Sequence, residues 1–371
     1  MQFQVFYETA DSNAGAVIEY LSPRGKAEDE RYFGKGATSG QALASACIEF
    51  IERQCAKMKP DDFLLEAALD EVAPDACDPH LFCLAPEAGY DTRKEIDWVW
   101  GYSLSRAEPV LVPANLVFCP YKTDREEKYI AWTDSNGLAS GNNIEEAILH
   151  GILEVIERDA LIINEYNKLR LTEMIPDGLP SGVRQLLEQL TERGFYYSFK
   201  VSMTDIPITV VTTYLQHMED NSTCSVAFGC HIDSGLAIMR SITEAIQLLP
   251  PSVNHEEWRL SGSPQRYSAE TPDKISLCDL TDHTSSDLRK NIETCVSILS
   301  KFESEVVVVD LSLPEFPFNT VRVLATGLQP LIHEGDMRLS RRFFDVPVIL
   351  GHSDRPVAIE SVRIWPVVGY R

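Results

Sequence analysis

The sequence predicts a mixed α/β fold, and three observations carry that expectation. Short β-branched or alternating runs, bounded by polar, Pro or Gly residues, recur along the chain. Amphipathic helical segments fall between those runs and not in a separate block. Three of the helical segments repeat one pattern.

The strand-like runs are Phe3–Tyr7, Ala16–Tyr20, Pro109–Pro113, Tyr197–Ser202, Ile208–Tyr214, Cys224–Cys230, Glu305–Leu311 and Val321–Leu324. Helical periodicity marks Val183–Arg193 and Asp287–Phe302. The repeated helices are Ala42–Arg53, Ala147–Arg158 and Ala237–Leu248. Aligned on Glu49, Glu154 and Glu244, each has Ala seven residues earlier, a small residue three earlier (Ala46, Gly151, Ser241) and Ile two later. Glu, Glu and Gln follow at three later (Glu52, Glu157, Gln247).

At 3.6 residues per turn, Ser45, Glu49, Glu52 and Arg53 share one face of the first helix. His150, Glu154, Glu157 and Arg158 do so on the second, and Arg240, Glu244 and Gln247 on the third. A solvated face with Glu–Arg pairs would account for any one helix. Three copies with the same few groups, bordered by Ala, Gly and Ser, point to a shared carboxylate-lined site where a ligand or another backbone approaches closely. Two Gly-rich turns, Gly34–Gly40 and Ser135–Asn142, lead into the first two helices and offer backbone N–H groups to an anion. The first turn lacks the Walker A spacing, and its Lys35 is a possible phosphate contact or a solvated turn lysine.

A formal charge of −23 excludes a nucleic-acid backbone or an anionic membrane as the main partner and suits divalent cations or a basic protein. Nine Cys without a CxxC pair suggest reduced thiols, not a disulfide framework or zinc ribbon. With neither a signal-like start nor a membrane-length apolar run, the chain is expected to be soluble and cytoplasmic. Pro250–Ser286, opening on Pro-Pro, reads as irregular: either a lid over the third helix or an ordinary surface loop.

Three segments resemble the nucleotide-site motifs of the YcaO family: Ser45-x3-Glu49-x2-Glu52-Arg53, the stretch SNGLASGNNIEEAILHGILEVIERDA (Ser135–Ala160), and Ala237-x2-Arg240-x3-Glu244-x2-Gln247. VRVLATGLQP (Val321–Pro330) is similar to a strand and turn of that family. The resemblance implies one YcaO domain of intertwined α/β subdomains over residues 1–371, with mixed sheets and an ATP site lined by three helices. It implies Mg2+ on Glu49, Glu52, Glu154 and Glu157. ATP contacts would come from Ser45, Arg53, Asn142, Glu146, Arg158, Arg240, Glu244 and Gln247, with Glu157, Arg158 and Arg240 closest to the chemistry. The implied activity is ATP-dependent O-phosphorylation of a peptide backbone amide, giving a thioamide, an azoline or an amidine according to the nucleophile. Attack by water would instead cleave the peptide bond, and a third reading is a silent scaffold that binds peptide.

Departures from the family pattern refine this. The chain ends PVVGYR, without the Pro-rich tail of many azoline-forming members, and its start lies close to the first motif. A standalone member, working with a separate leader-binding or TfuA-like partner on a peptide or protein substrate, is therefore expected. Some members of the family form homodimers. Leu248-Leu249-Pro250-Pro251 stands where many relatives place an Arg after the Gln, so Arg322, Arg341 and Arg342 are considered as substitute phosphate contacts. His150 takes the place of Ser45 in the repeat and reads as a packing or hydrogen-bonding histidine more readily than as a general base.

Overall fold

A computed structural model describes residues 3–8, 15–20, 30–36, 39–59, 64–123, 125–219, 224–249, 267, 271–280, 282–332 and 338–362. In chain order its strands are Phe3–Glu8 (β1), Gly15–Tyr20 (β2), Glu30–Gly34 (β3), Leu65–Ala67 (β4), Ile96–Ser103 (β5), Glu108–Pro113 (β6), Leu138–Gly141 (β7) and Thr172–Ile175 (β8). They continue with Phe195–Val201 (β9), Thr209–His217 (β10), Cys224–His231 (β11), Lys274–Ser276 (β12), Val306–Asp310 (β13) and Asn319–Ala325 (β14). The α-helices are Ser39–Ala56 (α1), Leu69–Val72 (α2), Ala114–Val117 (α3), Ile144–Tyr166 (α4), Ser181–Glu192 (α5), Ser234–Gln247 (α6), Leu288–Ser300 (α7) and Arg341–Ile349 (α8).

One sheet runs β4-β5-β13-β14-β7, with β6 also paired to β5, and all of these pairings are antiparallel. A second runs β11-β10-β9-β8-β12, antiparallel except for β8 with β12. A third has the order β1-β2-β3. The valine run of β13 shows why the first sheet is buried on both faces. Val306 and Val308 join one core cluster and Val307 and Val309 another, because successive side chains point to opposite sides.

Helix α4 lies at the centre. Asn143 caps it, accepting a hydrogen bond from the Glu146 N–H at 2.8 Å. Most of its residues are buried, and the buried set includes Glu157 and Arg158 of its polar face. A single cluster joins Ile152, Val155 and Ile156 to Val321 and Val323 of the first sheet and to Val210 and Cys230 of the second. Thus α4 bridges the two sheets.

The repeat extends backwards into the preceding strands. A Cβ built on Gly34, the last residue of β3, would lie 1.9 Å from Ala42 O and 2.4 Å from Ala46 N. On Gly229 of β11 it would lie 2.4 Å from Ala237 O and 2.5 Å from Ser241 N. These partners are the residues seven and three before the aligned glutamates. In the middle copy a Cβ on Gly151 would meet Val323 Cγ2 at 2.5 Å and Gly137 O at 3.0 Å. The small positions therefore serve backbone approach: each unit is a strand laid directly against a helix. Gly229→Ala is expected to lose about 1–3 kcal/mol by overpacking, read from the urea unfolding midpoint.

Two expectations change. Ser135–Asn142, read as a Gly-rich turn, contains β7, whose four residues are all buried. Pairing with β14 fixes a strand that its small residues do not advertise. Strand β5 is not among the strand-like runs, although IDWVWGYS is rich in aromatic and β-branched residues. Of Pro250–Ser286, residues 250–266, 268–270 and 281 lie outside the described residues, as does the C-terminal PVVGYR. Within the rest, Lys274–Ser276 forms β12 against β8.

Candidate nucleotide and cation site

Strands β7 and β11 each stand at the end of a sheet, and an end strand leaves N–H and C=O groups without a ladder partner. The repeat glutamates take up those groups. Glu52 of α1 accepts from the Ser140 N–H of β7 at 2.7 Å, and Glu157 of α4 accepts from the Cys230 N–H of β11 at 2.9 Å. Ser140 also pairs its hydroxyl with that of Thr320 at 2.7 Å, which holds the edge in register. Two sheet edges, α1 and α4 are thereby joined through carboxylates.

Around them the other helix faces converge. Lys35, in the turn before α1, reaches Glu244 of α6 at 2.5 Å. Arg240 of α6 reaches His150 of α4 at 2.8 Å. Arg158 lies 3.4 Å from Glu154 and 3.7 Å from Glu157. Arg53 is 4.0 Å from Glu49. At the start of α4, Asn142 donates to Glu146 from both its backbone N–H (3.1 Å) and its side-chain amide (2.9 Å). Ser45 and Gln247 are half-buried on α1 and α6. From Glu146 to Glu157 the face of α4 spans about 16 Å at 1.5 Å per residue.

The carboxylates repel one another. Burial raises the Glu52 carboxyl well above the usual carboxylate range, and Glu154 and Glu49 add to this against the Ser140 N–H and Arg53. Burial also raises Glu154, with Arg158 opposing and Glu157 reinforcing. Glu52 keeps some accessible surface, yet protein atoms enclose its carboxyl on most sides. Converging oxygen donors of one charge, disfavoured without a counter-ion, suit a hard cation such as Mg2+. No group of three or more such residues is drawn together closely enough to cage a metal by itself among the described residues. Mg2+ ordinarily uses one or two carboxylates together with phosphate and water.

The raised value has a testable sign. Glu52 holds its proton more tightly folded than unfolded, so the fold is penalised above the folded pKa, and the penalty disappears as pH falls through it. In Mg2+-free buffer at pH 8, Glu52→Gln is expected to raise Tm by on the order of 2 °C, with a smaller gain at lower pH, measured by thermal unfolding.

The arginines considered as substitute phosphate contacts are committed elsewhere. Arg322 donates to Leu116 O at 3.0 Å and to Asp134 Oδ1 at 3.0 Å. Arg342 is bidentate to Asp159 (3.0 and 2.9 Å) and reaches Asp205 at 2.6 Å. Arg341 is exposed and pairs with Asp345. Sequence reading missed Asp134, Arg338, Asp159 and His231. Two of them carried a positional signal: Asp159 lies within the second motif stretch and Asp134 immediately precedes it. A cavity of about 60 Å3, lined by Trp132, Asp134, Asn136, Val155, Arg322 and Arg338 among others, adjoins this site without containing its glutamates.

The sequence model of a family described as YcaO cyclodehydratase, binding ATP and Mg2+, matches residues 33–329. The chain belongs to the YcaO family. An uncharacterised protein of Methanothermobacter thermautotrophicus is 31% identical over 316 residues, covering 80% of this chain and 81% of its own. A Rhizobium leguminosarum protein encoded in the tfuA 3′ region is 26% identical, covering 80% of this chain and 76% of its own. Among solved structures, YcaO from Methanopyrus kandleri bound with AMPPCP and Mg2+ has a TM-score of 0.70 at 25% identity, covering 88% of this chain and 86% of that one. A heterocyclase in complex with substrate and cofactor has a TM-score of 0.83 at 24% identity, covering 99% of this chain; this chain spans 54% of its length. The fold is thus the YcaO fold, and ATP and Mg2+ are the cofactors of this YcaO protein. Among its described residues no helix is long and apolar enough to cross a membrane.

Proposed function

We propose that this protein uses ATP and Mg2+ to O-phosphorylate a backbone amide of a peptide or protein, giving a thioamide or an azoline. The observation that carries this reading is the approach of Glu154 of α4 to Glu52 of α1 at the β7 edge, close enough that Glu154 helps raise the Glu52 carboxyl, with Arg158 beside Glu154 and Arg240 held on the same face of α4 through His150. Phosphoryl transfer needs mainly positioning and charge neutralisation, and this set offers both. Glu49, Glu52, Glu154 and Glu157 would hold Mg2+, which neutralises phosphate charge when bound. Arg53, Arg158 and Arg240 would meet phosphate oxygens. Asn142 and Glu146, linked at the start of α4, would bound one end of the nucleotide.

In the reaction, a nucleophile adds to the amide carbon and the resulting oxyanion takes the γ-phosphoryl group from ATP, releasing ADP. Loss of phosphate, with the proton from nitrogen or from the nucleophile, leaves the ring or the C=S bond. The family membership and the heterocyclase likeness support this class of chemistry. The Rhizobium relative's position beside tfuA supports a TfuA-like partner.

The test is to incubate the protein with ATP, Mg2+ and candidate peptides, with and without sulfide and a TfuA-like protein, and to record product masses. Loss of water reports azoline, and a gain of about 16 mass units, oxygen exchanged for sulfur, reports thioamide. Peptide fragments would replace the reading with hydrolysis. Peptide binding without ATP consumption under all conditions would replace it with a scaffold.

A further inference from the structure

His150 and Arg240 occupy the same place in two copies of the repeat, four residues before Glu154 and Glu244. In the folded chain these equivalent positions meet: Arg240 Nη2 lies 2.8 Å from His150 Nε2. A guanidinium has no acceptor, so Nε2 must accept, and the ring proton of the neutral imidazole sits on Nδ1. The backbone of Ser140 lies close to the ring and favours its protonated form, as a nearby carbonyl does. The ring thus lies near the free edge of β7, where Glu52 takes the Ser140 N–H, and holds Arg240 through Nε2.

Arg240 has a donor to spare. Its Nε is buried and has no hydrogen-bond partner among the described residues. A buried guanidinium N–H without an acceptor is costly, and an anionic ligand oxygen would satisfy it. Ser45, at the same place in the first copy, is too short to make such a bridge.

We propose that His150 is a positioning residue that holds the Arg240 guanidinium, from the β7 edge, toward the phosphates of the bound nucleotide. This rests on the nucleotide reading above. Burial first, then Arg240, Lys35 and His231, push the imidazole well below its ordinary range, which keeps the accepting nitrogen free of a proton.

The test is the affinity for AMPPCP with Mg2+, measured by calorimetry on the full chain. His150→Leu is expected to weaken binding about 10–100-fold, and His150→Gln, which keeps an acceptor and a donor, to stay within about threefold of the parent protein. In an Arg240→Ala background His150→Leu should add less than about twofold, because its effect runs through the arginine. Should the leucine variant not fold, His150→Ser replaces it in the cycle. Losses that multiply in the double variant, or a glutamine variant as weak as the leucine one, overturn the inference while leaving the nucleotide reading intact. Unchanged binding in Arg240→Ala alone overturns the assignment of that arginine, and this inference with it.

Discussion

Glu157→Gln is expected to reduce ATP turnover roughly 10³-fold, several kcal/mol of barrier, while the chain stays folded. Glu157 is only 4% exposed, and its two oxygens have separate duties. Oε2 accepts from the Cys230 N–H, and Oε1 faces Arg158 at 3.7 Å. Glutamine has the same size, and its carbonyl can still cap the β11 edge. What it loses is the negative charge, replaced by an amide that presents N–H groups to Arg158 and to any cation. The fold-bearing hydrogen bond survives and the electrostatic role does not. Phosphate release with ATP, Mg2+ and substrate gives the rate, and the circular-dichroism melt gives the fold. Near-parental turnover from a folded Glu157→Gln protein would remove Glu157 from the metal and catalytic set.

The second large effect lies outside the chemistry. Asp134 is expected to cost about 3–5 kcal/mol when replaced by leucine, because two buried guanidiniums depend on it. Arg322 is 5% exposed, Arg338 is 3% and Asp134 itself is 7%. Asp134 accepts from Arg322 on one oxygen at 3.0 Å and from Arg338 on the other at 3.1 Å. Burial acts to raise its carboxyl, but Arg322 and Arg338 outweigh it and hold the carboxyl below its ordinary value. A depressed carboxyl stabilises the fold at pH above its unfolded value, and that contribution is lost as pH falls through the folded one. The gap between the parent and Asp134→Leu in urea unfolding should therefore be full at pH 7 and narrow in acid. An equal gap at all pH values would assign the loss to packing instead of charge.

These two sites differ in what the sequence could say about them. Glu157 sits in a repeat whose period, small residues and charges are visible in one dimension, so the shared face of each helix followed from helical geometry alone. Asp134 and Arg338 are single charged residues 204 positions apart, with no periodic signal. Arg322 belongs to a visible segment, yet its role was misjudged: a free arginine was considered for phosphate, and the fold had already enclosed it against Asp134 and Leu116. Composition and spacing count charges but do not reveal which are already paired in space.

The small positions of the repeat teach the same point. Ala42, Ala46, Ala237 and Ser241 signalled close approach, and the sequence left open whether ligand or backbone came near. The contacts of Gly34 and Gly229 identify the strand backbone. The sequence by itself determined the mixed α/β class, the three equivalent helices and the residue types on their shared faces, because those follow from local periodicity. Only the tertiary structure decided that the edges of β7 and β11 turn toward those faces, that Glu52 and Glu157 cap them, and that His150 meets Arg240. Strand order and edge exposure are set by pairings between residues far apart in the chain, and no local pattern encodes them.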